Sequence, residues 1–204
     1  MKNSNQIEIL GYAGHSYVCI EIAKLLNLKV NGYYDPKKNN LNPYSLNYLG
    51  TDKSIVGNKL LFVSVGDNII RKRLFNFLLE KKFNVSLNLI HPKISLSDNF
   101  NIGVNNLINS GVIINTFVKI GNACIINTGA IIEHECNIGN FVHIAPGAIL
   151  LGNVKIGDNS FIGANAVINP NIKIGKNVIV GSGSVVLNDI SDNKTYVGNP
   201  AKPI

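Results

Sequence analysis

"IIEHECNIGNFVHIAPGAI", residues 131–149, sets two histidines nine residues apart, His134 and His143, in a stretch of mainly small and branched apolar residues. What the pair can do depends on the period of the sequence around it. Ile132, Ile138 and Ile144 stand six apart. The same frame runs back through Ile126, Ile120, Ile114, Ile108 and Ile102, and forward through Leu150, Ile156, Ile162, Ile168, Ile174, Val180 and Val186. Leu96 and Ile90 extend it further towards the N-terminus. Four residues after each of these positions comes a second, mostly small one, such as Val112, Cys124, Ala130, Cys136, Ala148 and Ala166. Glycine or asparagine often follows the branched residue, where the chain must turn.

A period of six fits neither the 3.6 of a helix nor the 2 of an alternating strand. It marks a parallel β-helix, in which short strands stack coil upon coil and each branched side chain buries against its counterpart in the next coil. The pattern [Ile/Leu/Val]-Gly-x-x-[small]-x resembles the left-handed β-helix acyltransferases. That resemblance implies three hexads to a triangular coil, about five coils over residues 96–186, and a homotrimer with active sites in the grooves between subunits. On such a coil, residues nine apart lie half a perimeter from each other, which weighs against His134 and His143 as neighbouring metal ligands in one chain. A γ-type carbonic anhydrase shares the fold but needs three histidines on zinc, and the expectation here is no metal. Thr116 and Gly152, one coil before and one after His134, are small and leave its imidazole projecting, as a general base must. Histidine suits the task because its ordinary pKa is near 6.5. Glu133 or Glu135 would orient the ring.

The stretch I132-E-H-E-C-N-I-G-N-F-V-H-I resembles the sugar O- and N-acetyltransferases that carry an N-terminal nucleotide-sugar domain, among them the bacillosamine and perosamine enzymes and the sialic acid O-acetyltransferases. The resemblance implies that His134 is the general base with Glu135 as its partner, that His143 lies at acetyl-CoA, and that Asn127 lies near the sugar. Gly152, and Gly163 and Gly181 in the column begun by Ala145, are assigned to the pantetheine arm of the same cosubstrate. The ending V197-G-N-P-A-K is also similar to the family's, and would close the last coil over otherwise exposed strand edges.

The front of the chain reads differently. Residues 7–10 (IEIL) form a strand, G11-Y-A-G-H-S a turn, and the residues from Tyr17 an amphipathic helix. A helix start after a glycine-rich turn presents N–H groups and a positive dipole end to phosphate. Further strands are expected at Lys29–Tyr34, Leu60–Val65 and Val85–Ile90, and a helix from Ile69 to Lys81. Together they make a small, Rossmann-like α/β unit with a four-stranded parallel sheet, too small for a complete dinucleotide fold. Domains are placed at 1–93 and 94–204. The resemblance extends over this part through the G-x-x-G-H turn, an acid after the second strand, and G-[Asn/Asp]-x-x-x-R after the third. It implies that Gly14, His15 and Ser16 cradle phosphate, that Asp35 faces ribose or base, and that Gly66 and Arg71 complete the diphosphate site. Asp67 stands where asparagine is common, and an acid there must point at a donor.

Composition narrows the classes further. The 204 residues are 46% hydrophobic and 15% charged, which describes a folded globular chain. No apolar run reaches the ~20 residues of a membrane span, and MKNSNQIEIL lacks a signal-peptide core; the cytoplasm is the expected compartment. Cys19, Cys124 and Cys136 read as buried apolar residues, with no disulfide framework. The net charge of +7 favours anionic ligands, but its basic residues are scattered, with no run marking nucleic acid. The expected function is acetyl transfer to the amino group of a nucleotide-linked 4-amino-4,6-dideoxy sugar. The alternatives are O-acetylation of sialic acid or another sugar hydroxyl, a non-catalytic nucleotide-sugar scaffold, and the zinc hydratase.

Overall fold

The computed structural model describes residues 5–204, which divide into two compact units between Leu89 and Ile90. In the first unit, β1 (Gln6–Leu10) leads into α1 (Gly14–Leu25), then β2 (Lys29–Tyr34), β3 (Asn47–Tyr48), β4 (Leu61–Val63) and α2 (Asn68–Glu80). The strands form one parallel sheet in the order β3-β2-β1-β4. Ile7 and Ile9 of β1, and Leu61 and Phe62 of β4, are at most 1% exposed, as expected of a parallel sheet covered on both faces. Cys19 and Ile20 of α1, and Phe75 and Leu78 of α2, are buried to the same degree.

Two differences from the sequence expectation concern strands. The fourth member of the sheet is Asn47–Tyr48, whose short polar sequence gives no strand pattern; it is added by pairing with Gly32 and Tyr33. The expected strand at Val85–Ile90 shortens to β5 (Leu89–Ile90), whose Ile90 belongs to the coil. Ile90 belongs to the six-residue frame, so its register with the repeat wins over membership of the front sheet.

The second unit is a parallel β-helix with three sheets of two-residue strands. Asn101–Ile102, Lys119–Ile120, Asn137–Ile138, Lys155–Ile156 and Lys173–Ile174 stack as one face. Ser95–Leu96, Ile113–Ile114, Ile131–Ile132, Ile149–Leu150, Val167–Ile168 and Val185–Val186 form another. The third carries Leu107–Ile108, Ile125–Ile126, His143–Ile144, Phe161–Ile162 and Ile179–Val180. Partners in these three stacks differ by 18 residues, so three hexads make one coil. The branched residues of the frame from Ile108 to Val186 are 0–4% exposed and form one continuous core with the small second positions. Each such isoleucine contributes roughly 1.5–3 kcal/mol of burial.

The turns reveal a second six-residue frame. Every sixth residue from Asn105 to Gly183 is left-handed, with φ between +49° and +69°. Asparagine or glycine, which adopt this conformation at least cost, fill most of these positions. Phe117, Ala123, Glu135 and Phe141 are the exceptions. The glycine directly after the branched residue serves another purpose: a Cβ on Gly121 would sit 2.7 Å from the Gly139 carbonyl oxygen, so its smallness admits the next coil. At the C-terminus, Val185 N–H donates to Gly198 O and Ala201 N–H to Val185 O, so the tail satisfies the backbone of the last coil.

The three cysteines are free and at most 1% exposed, and burial pushes Cys19 up to about 12 and Cys136 to about 11. No helix among the described residues is long and apolar enough to cross a membrane.

Candidate active site

In the first unit a cavity of about 610 Å³ opens beside the ends of β1, β2 and β4, the edge of a parallel sheet where ligands bind. Its floor is the turn from β1 to α1. Gly11 has φ +97°, and a Cβ there would lie 2.5 Å from Val65 Cγ2, so only glycine fits. Asp35 Oδ2 accepts the Tyr12 N–H at 3.0 Å, and Ser16 Oγ accepts the Ala13 N–H at 2.9 Å while donating to Ala13 O at 2.6 Å. Asp35 and Ser16 therefore hold the shape of the turn. Gly14 is open, with nothing within 4 Å of an added Cβ. The His15 ring packs against Gly66. Burial, and then the neighbouring Arg71 charge, push its pKa down to about 4, so at neutral pH it is an uncharged hydrogen-bonding group.

Of the residues expected at phosphate and ribose, His15, Asp35 and Gly66 line the cavity, while Gly14, Ser16 and Arg71 do not. Arg71 is 1% exposed. Its guanidinium donates to Val65 O at 3.2 Å, Gly66 O at 2.8 Å and Asn68 Oδ1 at 2.6 Å, which fixes the loop in front of α2. Asp67 does point at a donor: its Oδ1 accepts the Ile70 N–H at 2.8 Å and caps α2. Sequence reading missed Lys53 and Arg73, which bring positive charge to the cavity wall. Arg73 was within reach, since Ile70, Arg73 and Leu74 follow the i, i+3, i+4 face of the expected helix. Lys53 lies in a single 3₁₀ turn, Asp52–Ser54, that no periodicity marks.

In the second unit His134 and Glu135 occupy one corner of the coil. Glu135 N–H donates to Thr116 O at 3.0 Å and Asn153 N–H to His134 O at 2.9 Å, so the coils on either side fix the corner. Glu135 Oε2 lies 3.0 Å from His134 Nδ1. Glu133 faces elsewhere, accepting the Asn115 Nδ2–H at 2.8 Å. Glu135 is thus the acid that orients the ring, and it does so from a left-handed backbone (φ +62°). Both side chains stay open to solvent, at 55% and 60% exposure. The imidazole leans over Gly152, where a Cβ would come within 2.6 Å of Cε1 and 2.7 Å of Nε2. Gly152 is therefore the seat of the ring.

On the third face, Asn127 and His143 meet: Asn127 Nδ2 is 3.2 Å from His143 Nε2. Asn127 Oδ1 already accepts the Thr128 N–H at 2.8 Å and the Asn109 Nδ2–H at 3.2 Å, so its Nδ2 must donate and His143 Nε2 must accept. The His143 proton then sits on Nδ1, and the ring edge meets Phe161 with centroids 5.1 Å apart. His143 and His134 stand on different sides of the same coil and do not converge within one chain. Gly163 and Gly181 are crowded by the following chain, at 2.5 Å from Ser182 N and 2.7 Å from Val197 Cγ1 for an added Cβ; coil packing accounts for their smallness. Among the described residues no three His, Cys, Asp or Glu side chains converge on a metal position.

Residues 6–78 match the PglD N-terminal domain family, and residues 135–170 and 153–188 match the bacterial transferase hexapeptide family. Comparison with curated proteins gave no match. Among solved structures, the chain is similar to the acetyltransferase domain of PglB from Neisseria gonorrhoeae FA1090 in complex with acetyl coenzyme A. The two are 30% identical, with a TM-score of 0.92 over 99% of this chain and 100% of the other. It is also similar to PerB from Caulobacter crescentus in complex with CoA and GDP-perosamine, at 32% identity and a TM-score of 0.91 over 98% of this chain and 97% of that one.

Proposed function

The chain belongs to the hexapeptide-repeat sugar N-acetyltransferases with a PglD N-terminal domain, and we propose that it transfers acetyl from acetyl-CoA to the amino group of a nucleotide-linked 4-amino-4,6-dideoxy sugar. The observation that carries this reading is the His134–Glu135 pair at 3.0 Å, with the ring seated on Gly152 at an open corner of the coil. Glu135 on Nδ1 leaves Nε2 as the nitrogen that meets substrate. A sugar amine is protonated at neutral pH and attacks only after losing a proton. His134 Nε2 takes that proton before attack; the free amine then adds to the thioester carbonyl, the C–N bond forms, the C–S bond breaks, and the second proton shed by the nitrogen leaves with CoA as the thiol. Backbone N–H groups of the coil stabilise the oxyanion.

The nucleotide diphosphate lies in the cavity of the first unit, at the His15 turn and Gly66, with Asp35 towards ribose or base and Lys53 and Arg73 supplying positive charge. Arg71 serves it by holding the Gly66 carbonyl. Asn127 and His143 belong to the substrate groove, which a neighbouring subunit of a cytoplasmic homotrimer completes. The two relatives support this reading, since one was solved with acetyl coenzyme A and the other with CoA and GDP-perosamine, perosamine being a 4-amino-4,6-dideoxy sugar.

The test is thiol release from acetyl-CoA with a panel of UDP-, dTDP- and GDP-linked 4-amino-4,6-dideoxy sugars. Rapid release with one of them is expected and names the nucleotide. His134→Ala should lower kcat on that substrate by roughly 10²–10⁴ with little change in acetyl-CoA affinity; near-normal turnover sinks the base assignment. Silence across the panel with acetyl-CoA still bound transfers the reading to a hydroxyl acceptor such as sialic acid.

A further inference from the structure

Four of the left-handed turn positions carry neither asparagine nor glycine, and three of them have a visible reason. Ala123 is small and buried, and Phe141 at φ +59° is only 8% exposed, so burial of its ring offsets the backbone cost. Glu135 is exposed but holds His134. Phe117, at φ +61°, has neither: its side chain is 63% exposed. It occupies the same column as Asn153 and Asn171, which show what the turn itself prefers. An exposed aromatic ring on a strained backbone is an outlier of the kind that points to function. Its place supplies the function. Phe117 lies 18 residues before Glu135, and the coils are joined here by the Glu135 N–H to Thr116 O bond at 3.0 Å. The ring therefore borders the His134–Glu135 corner from the preceding coil, opposite Gly152 in the following one.

We propose that Phe117 is a specificity-determining residue that packs against the deoxygenated C6 methyl group of the acceptor sugar. This rests on the function proposed above. In a 4-amino-4,6-dideoxy sugar the methyl stands on C5, next to the carbon bearing the amine, so an amine at His134 places a methyl within reach of a flanking apolar wall. An aromatic ring there favours CH₃ over CH₂OH, because the hydroxymethyl loses hydration without gaining a partner.

The experiment uses the full-length protein and the sugar nucleotide selected by the panel, paired with its 6-hydroxy counterpart. Wild type should prefer the 6-deoxy acceptor by about tenfold in kcat/KM, the low end for one apolar contact. In Phe117→Asn the preference should fall towards one, with the KM for acetyl-CoA unchanged and the melting temperature no lower than wild type. Phe117→Tyr, which keeps the ring, should keep the preference. An unchanged preference in Phe117→Asn overturns the proposal, as does its loss in Phe117→Tyr. A reduced native mass of Phe117→Asn also overturns it, in favour of a contact between subunits. If wild type acetylates none of the amino sugars, the functional reading itself fails and takes this inference with it; failure confined to the variants leaves that reading standing.

Discussion

His15 and His134 both sit at a turn, yet the two regions make different groups of the same side chain. At the start of α1 the imidazole is packed against Gly66 beside a buried arginine, and its pKa is pushed down to about 4. It stays neutral and can only exchange hydrogen bonds. At the coil corner the ring stands in solvent with a carboxylate 3.0 Å from Nδ1 and Nε2 directed over a glycine. That arrangement fixes the orientation of the ring and leaves Nε2 open to solvent. Burial sets the first, and an exposed hydrogen-bond partner orients the second; residue type decides neither.

The sharpest way to break the contrast is to unseat the His134 ring. Gly152→Ala adds a Cβ within 2.7 Å of Nε2, so the imidazole must move by about 1 Å. A displacement of that size costs about 10² in kcat, and the melting temperature should change little because the corner faces solvent. Steady-state kinetics beside calorimetry checks both halves; activity within twofold of wild type would mean that the ring has another productive position.

A smaller effect is expected from Glu135→Asn, which substitutes the residue the turn prefers. Turnover should fall about tenfold through loss of the Nδ1 partner, while stability rises by about 1 kcal/mol as the left-handed strain is relieved. Denaturant unfolding and kcat, measured on the same preparation, should move in opposite directions. Both falling together would show that the carboxylate supports the fold.

The smallest effect at neutral pH concerns His15 and appears only in acid. Its folded pKa lies below the unfolded value near 6.5, so the unfolded chain gains a proton that the folded chain refuses until about pH 4. Its contribution is therefore complete above pH 6.5 and is lost as pH falls from 6.5 through 4. His15→Gln removes the titrating group, and its unfolding free energy should decline less steeply than wild type's over that window. Parallel profiles would show that the ring is not held neutral.

Much of this was legible because the coil repeats. Each hexad meets the same surroundings, so Ile132, Ile138 and Ile144 report the core from local sequence alone, and a local pattern equals a tertiary one. The front unit lacks that property. Asn47–Tyr48 is a strand only because Gly32 and Tyr33 pair with it, and no local pattern announces that the Arg71 guanidinium donates to the Val65 and Gly66 carbonyls. Lys53 reaches the cavity from a turn with no period to announce it.

The amino-acid sequence by itself determined the six-residue frame, the buried column it builds and the histidine exposed at residue 134, because spacing along the chain fixes which side chains face inward. It left Glu133 and Glu135 equivalent on either side of that histidine. Tertiary structure separated them: one carboxylate turns to Asn115 in the preceding coil and the other to the imidazole. The same stacking put Gly152 beneath the ring and Phe117 on the coil before it. The Glu133–Asn115 and His134–Gly152 contacts join residues 18 apart, and only the stacking of coils brings them into touch.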